Sequence, residues 1–210
     1  MGGDVAPTIG AAFMPSAALL SLCWLAFIGS VTPGPNNIML AASGVNFGIR
    51  ASVPQMAGIF VGIVVVTLAS GFGLGAIFSA YPLVRDLMRL AGFAYVVWLA
   101  WRIAIAGSLG GGDLPHPMRF STSLSIQPLN LKLWMTAIAV VALYVRPGHT
   151  VADTLTVAAA FSLLNLPCMV LWAGCGALLR EALKLPGRVR VFNLIMAAAL
   201  LASVVPLLWG

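Results

Sequence analysis

Long apolar runs separated by short polar gaps set the pattern of this chain. Six stretches are predominantly apolar over the roughly 20 positions a helix needs to cross a bilayer. They run from Pro15 to Val45, Pro54 to Ala80, Leu83 to Ile105, Phe120 to Val145, Val151 to Leu179 and Val189 to Leu208. They are too long and too evenly hydrophobic for barrel strands, which alternate in polarity over about ten residues. The pattern predicts an all-α integral membrane protein with six transmembrane helices.

Two of those helices carry polar and proline residues in apolar surroundings. The first holds "SVTPGPNN" from Ser30 and the fourth holds "SIQPLNLK" from Ser125. Pro33 and Pro35 lack N–H groups and interrupt the hydrogen-bond ladder, while Gly34 between them frees the backbone. The carbonyls so released cost several kcal/mol each in hydrocarbon, so a break belongs where it is buried in protein or lines a watery cavity. Asn36 and Asn37 fall where the helix resumes, a position at which Asn side chains cap free N–H groups. The renewed helix N-terminus presents a positive dipole end to an anion such as a carboxylate.

A Gly- and Pro-rich gap, "AGSLGGGDLPHPM", divides the apolar segments three and three. This suggests residues 1–105 as a first three-helix repeat, 106–118 as a linker and 119–210 as a second repeat. Three spans per half reverse the orientation of the second half. Two inverted repeats with interrupted helices at corresponding positions are the pattern of secondary transporters whose substrate site lies at the breaks. The expected substrate-binding residues are therefore Thr32, Pro33, Gly34, Pro35, Asn36 and Asn37 from the first half. Gln127, Pro128, Asn130 and Lys132 come from the second half. Asn165, just before Pro167 in "LLNLPCMV", marks a further softened helix and ranks below the two main breaks.

Composition agrees with membrane burial: 61% of residues are hydrophobic and 8% charged, against roughly half and a quarter in soluble domains. The net charge of +6 is spread thinly over the loops, so it reads as topology signal and no nucleic-acid partner is expected. The first, third and fifth connections hold seven Lys and Arg residues and the opposite side holds three. By the positive-inside rule both termini face away from the cytoplasm. "MGGDVAPTIG" has no basic n-region, so a secretory signal peptide is not expected.

At the broken helices the sequence resembles the LysE/RhtB family of bacterial amino-acid exporters, over nearly its whole length. The most specific stretch is "TPGPNNIML", from Thr32 to Leu40. "GIRASVPQMAGIFVG" from Gly48, "RLAGFAYVVWLAWRI" from Arg89 and "RVRVFNLIMAAALL" from Arg188 support it in order. The fourth helix departs from the common Asn-Pro-Lys pattern: Asn130 and Lys132 are kept, Leu131 replaces the proline, and a proline stands at 128. That departure is similar to the branch exporting cysteine and O-acetylserine. The resemblance implies a small amino acid leaving across the inner membrane, driven by protons. It also strengthens Asn130 and Lys132 as site residues.

Lys132 is the one formal charge placed well inside an apolar segment, where ionisable groups are expensive and mark function. It suits a substrate carboxylate or a role in proton coupling, unless the helix begins later and Lys132 snorkels to the interface. Asp86 and Arg89 stand at ion-pair spacing, and Asp153 reads as a solvated helix start. Gln127 and Asn165 are amides at membrane depth that bind substrate or a neighbouring helix. Asn193 is a packing residue. Gly58 and Gly62 form GxxxG, with Gly71, Gly73 and Gly75 following, a signature of close helix packing. That surface is also the one considered for a homodimer. Tyr95, Trp98, Trp101 and Trp209 read as interfacial anchors. His116 and His149 have no partner at ligand spacing, so neither a metal nor another cofactor is expected. Cys23, Cys168 and Cys175 read as buried, inert thiols. The alternative function is a thiol–disulfide electron carrier using Cys23 and Cys168. Neither thiol lies in a polar break that would stabilise a thiolate. The leading expectation is a secondary exporter, not an enzyme.

Overall fold

Proline and glycine positions dictate where the helices begin and end. The computed structural model describes residues 14–74, 77, 80–105, 117–183 and 186–204. Expectations for Gly75, His116, Lys184, Trp209 and most of the 106–118 linker lie outside these residues, as do those for the first ten positions. Among the described residues the chain is helical, without strands. The first apolar stretch forms α1 (Ser16–Val31) and α2 (Pro35–Phe47), bent by 54° across the Pro33–Gly34 break. Pro35 takes the first position of α2, where its missing donor is no loss and its φ is already helical.

Gly48, with φ +82°, turns the chain within one residue into α3 (Ile49–Ala69). This helix starts five residues before Pro54, the expected beginning. Pro54 leaves only the carbonyl of Arg50, near the helix end, without its usual partner. A π-helical turn (Ser70–Leu74) follows, and Gly73 at φ +110° departs from helical geometry. Then come α4 (Pro82–Ile105), α5 (Phe120–Ser125), a 3₁₀ turn (Gln127–Leu129) and α6 (Leu131–Tyr144). The fourth stretch is thus broken as expected, by 67°. α7 (Thr150–Ala182) runs unbroken through Pro167, so the helix expected to soften there stays continuous. α8 (Pro186–Val204) closes the described chain.

Among the described residues three helices are long and apolar enough to span a bilayer, α3 with its π turn, α4 and α7, and counting each bent pair as one span brings this to as many as five. The described apolar part of α8, Arg190–Ser203, is shorter than a span. The expected sixth helix therefore forms, but its described length does not reach a full crossing. Large apolar side chains such as Leu20, Trp24, Leu83, Leu90 and Leu178 lie exposed, which suits a hydrocarbon surround.

α7, at 33 residues about 50 Å long, is the central post: α1, α2 and α3 all pack on it. α2 meets it through Gly44 and Gly176, since a Cβ on Gly44 would overlap the Ala173 carbonyl and one on Gly176 the Ala41 carbonyl. Around this crossing Ala26, Leu40, Ile59, Trp134, Phe161 and Met169 form the main core. A second core joins α2 to the α4–α8 pair through Ile38, Val96, Ala100 and Leu200. Gly58 and Gly62 do serve close packing, but within the chain. A Cβ on Gly58 would strike Ser123 at 2.7 Å and one on Gly62 would overlap Gln127. The face considered for a homodimer is therefore covered by α5 and the second break.

Candidate functional site

The two breaks meet at the centre of the bundle, and each supplies what the other lacks. α1 ends at Val31 and α2 starts at Pro35, so carbonyls near the end of α1 lose their ladder partners. Lys132, in the first turn of α6, fills part of this gap. Its Nζ donates to the Thr32 carbonyl at 3.1 Å, the Thr32 hydroxyl at 2.9 Å and the Pro33 carbonyl at 3.1 Å. The helix begins at Leu131, one residue before Lys132, and the half-buried side chain reaches across to the first break. Gly34 makes room for it, because a Cβ there would sit 2.9 Å from Lys132 Cδ.

The asparagines of the first break do not cap N–H groups as expected. Asn37 Nδ2 instead donates to the carbonyls of Ser30 at 2.7 Å and Thr32 at 2.8 Å. Pro35 removes the first N–H of α2, while the α1 carbonyls remain as acceptors for the Asn37 amide. Asn36 pairs with Gln127 of the second break in a reciprocal amide contact, 2.9 and 3.2 Å. N-capping occurs in the other half, where Asn130 Oδ1 accepts from Leu133 N–H. The Pro128 carbonyl accepts from the Trp134 indole at 2.9 Å. Asn165 reaches the first break as well, its Nδ2 donating to Ser30 Oγ at 2.8 Å.

These groups surround a cavity of about 50 Å³, lined among others by Ser30, Gly34, Asn37, Asn130, Lys132 and Asn165. Two helix N-termini, those of α2 and α6, and the ammonium of Lys132 give it a region favourable to negative charge. The carbonyls of Thr32 and Pro33 at the end of α1, which favour positive charge, lie beside the cavity and accept from the Lys132 ammonium. Groups that suit a carboxylate and groups that suit an ammonium thus lie side by side at a space the size of one or two water molecules, ~30 Å³ each in the liquid. Thr32, Pro33, Pro35, Gln127 and Pro128 shape or hold these walls without lining the cavity itself. Ser30, Gly29, Thr136, Ile63 and Phe161 line it too. Of these only Ser30 carried a sequence signal, as the first residue of the polar stretch.

The chain matches the LysE type translocator model over residues 27–209. It belongs to the LysE family of translocators. A cysteine/O-acetylserine efflux protein of Escherichia coli (strain K12) is 31% identical over 187 residues, covering 87% of this chain and 93% of that protein. The protein of the same description from Salmonella typhimurium is 30% identical over 184 residues, with the same coverage. No solved structure matches. Within this LysE family chain several other expectations need correction. Asp153 is not a solvated helix start: it is 1% exposed and holds Arg146 through paired contacts of 2.8 Å. The carboxylate keeps the Arg146 guanidinium, in the loop before α7, above its ordinary pKa through these hydrogen bonds. Tyr95 is mid-helix, and its hydroxyl points at the Met39 sulfur, so it is not an end anchor. Trp98 and Trp101 are exposed. Cys168 is buried, but Cys23 is half-buried and Cys175 exposed. The cavity lining includes none of the three cysteines.

Proposed function

We propose that this protein exports a small amino acid of the cysteine/O-acetylserine kind from the bacterial cytoplasm across the inner membrane. The observation that carries the reading is the contact of Lys132 with Thr32 and Pro33, which ties the two breaks together at a cavity of mixed polarity. A zwitterion can replace that contact group for group. Its carboxylate takes Lys132 and the helix N-termini, and its ammonium takes the carbonyls that Lys132 leaves. The Asn36–Gln127 pair then separates or re-forms around the bound molecule.

A space of about 50 Å³ admits such a molecule only if the halves move apart. The transport cycle is therefore alternating access, with residues 1–105 and 119–210 acting as inverted repeats that rock about the central contacts. Lys132 carries the proton exchanged against the substrate, making the protein a proton antiporter. The arginine-rich end of the bundle faces the cytoplasm and both termini lie on the other side.

The test is export from cells loaded with dipeptides of cysteine, serine, threonine, lysine and arginine, with O-acetylserine followed as well. Selective appearance of one small neutral amino acid outside, abolished by Lys132→Ala in protein that still inserts, is the expected result. Unchanged export by Lys132→Ala would remove the central site. No export of any of these by inserted wild-type protein would remove the exporter reading itself.

A further inference from the structure

A second cavity, of about 110 Å³, lies farther along α2. Met39, Ser43, Gln55, Leu99, Arg102 and Met118 are among its walls. Ser43 is seven residues beyond Asn36, roughly 10 Å along the helix axis. The cavity sits where the last turns of α2 and α4 meet the approach to α5. Arg50, Arg102 and Arg119 gather near this end, which the positive-inside rule assigns to the cytoplasm.

Among the apolar walls, Ser43, Gln55 and Arg102 supply polar groups. Gln55 is 1% exposed, and among the described residues neither its Nε2 nor its Oε1 has a hydrogen-bond partner. Its backbone is well held, the Ser123 hydroxyl donating to its carbonyl at 3.0 Å, so the amide is not idle because the region is loose. Buried amides are ordinarily satisfied, and one that is not calls for an explanation. Ser52 spends its proton on the Gly48 carbonyl at 2.9 Å. The 2.7 Å contact between Ser43 and Ser52 must then run from Ser43, whose oxygen remains an acceptor toward the cavity. Arg102 adds a positive charge to the wall, its guanidinium 5.8 Å from the Trp98 ring centre.

We propose that this cavity is an entry site, which captures a small zwitterionic amino acid on the cytoplasmic side before it passes along α2 to the central cavity. The carboxylate faces Arg102 and the amide N–H of Gln55, and the ammonium faces the oxygens of Gln55 and Ser43. At about 110 Å³ the space is close to that of four water molecules, ~30 Å³ each in the liquid, enough for a three-carbon amino acid. The inference rests on the exporter reading above.

The test is uptake of reduced L-cysteine into inside-out membrane vesicles, whose outer surface is the cytoplasmic face, with the whole protein. Gln55→Met keeps the volume and removes the amide. It raises KM about tenfold, the effect of losing one or two such bonds, and leaves Vmax within about twofold. Arg102→Gln acts in the same direction. In right-side-out vesicles the KM for counterflow stays unchanged, which a general loss of folding would not produce. If Gln55→Met fails to insert, Arg102→Gln and Ser43→Ala carry the same comparison. Wild-type uptake with an unaltered KM in the variants overturns the entry site alone. Absence of wild-type uptake removes the exporter reading and the entry site with it.

Discussion

Replacing Asn37 with alanine should destabilise the protein through a carbonyl, not through packing. Asn37 is 6% exposed and its amide serves the Ser30 and Thr32 carbonyls. Thr32 keeps a second donor in Lys132 at 3.1 Å. Among the described residues Ser30 has no such substitute, because the residue four positions on is Gly34, outside α1 and beyond the last helical turn. One buried acceptor left without a donor costs about 1–3 kcal/mol. For a chain of this length each kcal/mol moves the melting temperature by about 2–4 °C, so the expected drop is about 2–12 °C. Thermal melting in detergent, followed by the surviving monodisperse fraction, measures it. Combining Asn37→Ala with Lys132→Met leaves Thr32 without either donor. The double variant should therefore lose about 0.5 kcal/mol or more beyond the sum of the singles. An Asn37→Ala protein melting within about 1 °C of wild type would refute the reasoning, because water would then be satisfying the break.

Gly176→Val should prevent stable insertion, since even a Cβ overlaps the Ala41 carbonyl on α2; the yield of folded protein from membranes reports it, and normal yield would show that α2 and α7 can separate. Arg146→Ala strands the Asp153 carboxylate in its buried place. Melting should fall further for it than for the double variant Arg146→Met/Asp153→Leu, because an unpaired buried charge is worse than an apolar pair. A chain with Cys23, Cys168 and Cys175 all changed to alanine should transport as the wild type does, and loss of activity would revive a thiol role. Lys132→Met, which keeps the length of the stem without its charge, should insert and fail to export in the dipeptide-loaded cells.

The apolar runs and the prolines within them were enough to find every helix of the described chain and both broken pairs. Their properties are local: the length of an apolar run and a missing N–H act on the chain where they stand. The same locality misled at Pro167, where α7 continues through the proline, packed against α1, α2 and α3. It misled again at Asp153, whose exposure depends on a loop arginine seven positions earlier folding back over it. Sequence placed Asn36 and Asn37 correctly at the break but gave them the wrong task, since an amide can donate as readily as it accepts.

The partners of the broken helices are a different kind of fact. Lys132 and Thr32 are 100 positions apart, and Asn36 and Gln127 are 91 apart. Such pairings exist only once α1, α2 and α6 are packed on α7, and nothing in a local pattern specifies them. The sequence by itself determined that two interrupted helices would carry unsatisfied backbone in an apolar setting. Only the tertiary structure decided that the first break takes part of its donors from Lys132 of the opposite half while Asn37, Asn130 and Trp134 serve their own halves, because a carbonyl that has lost its ladder partner takes the donor that packing brings near.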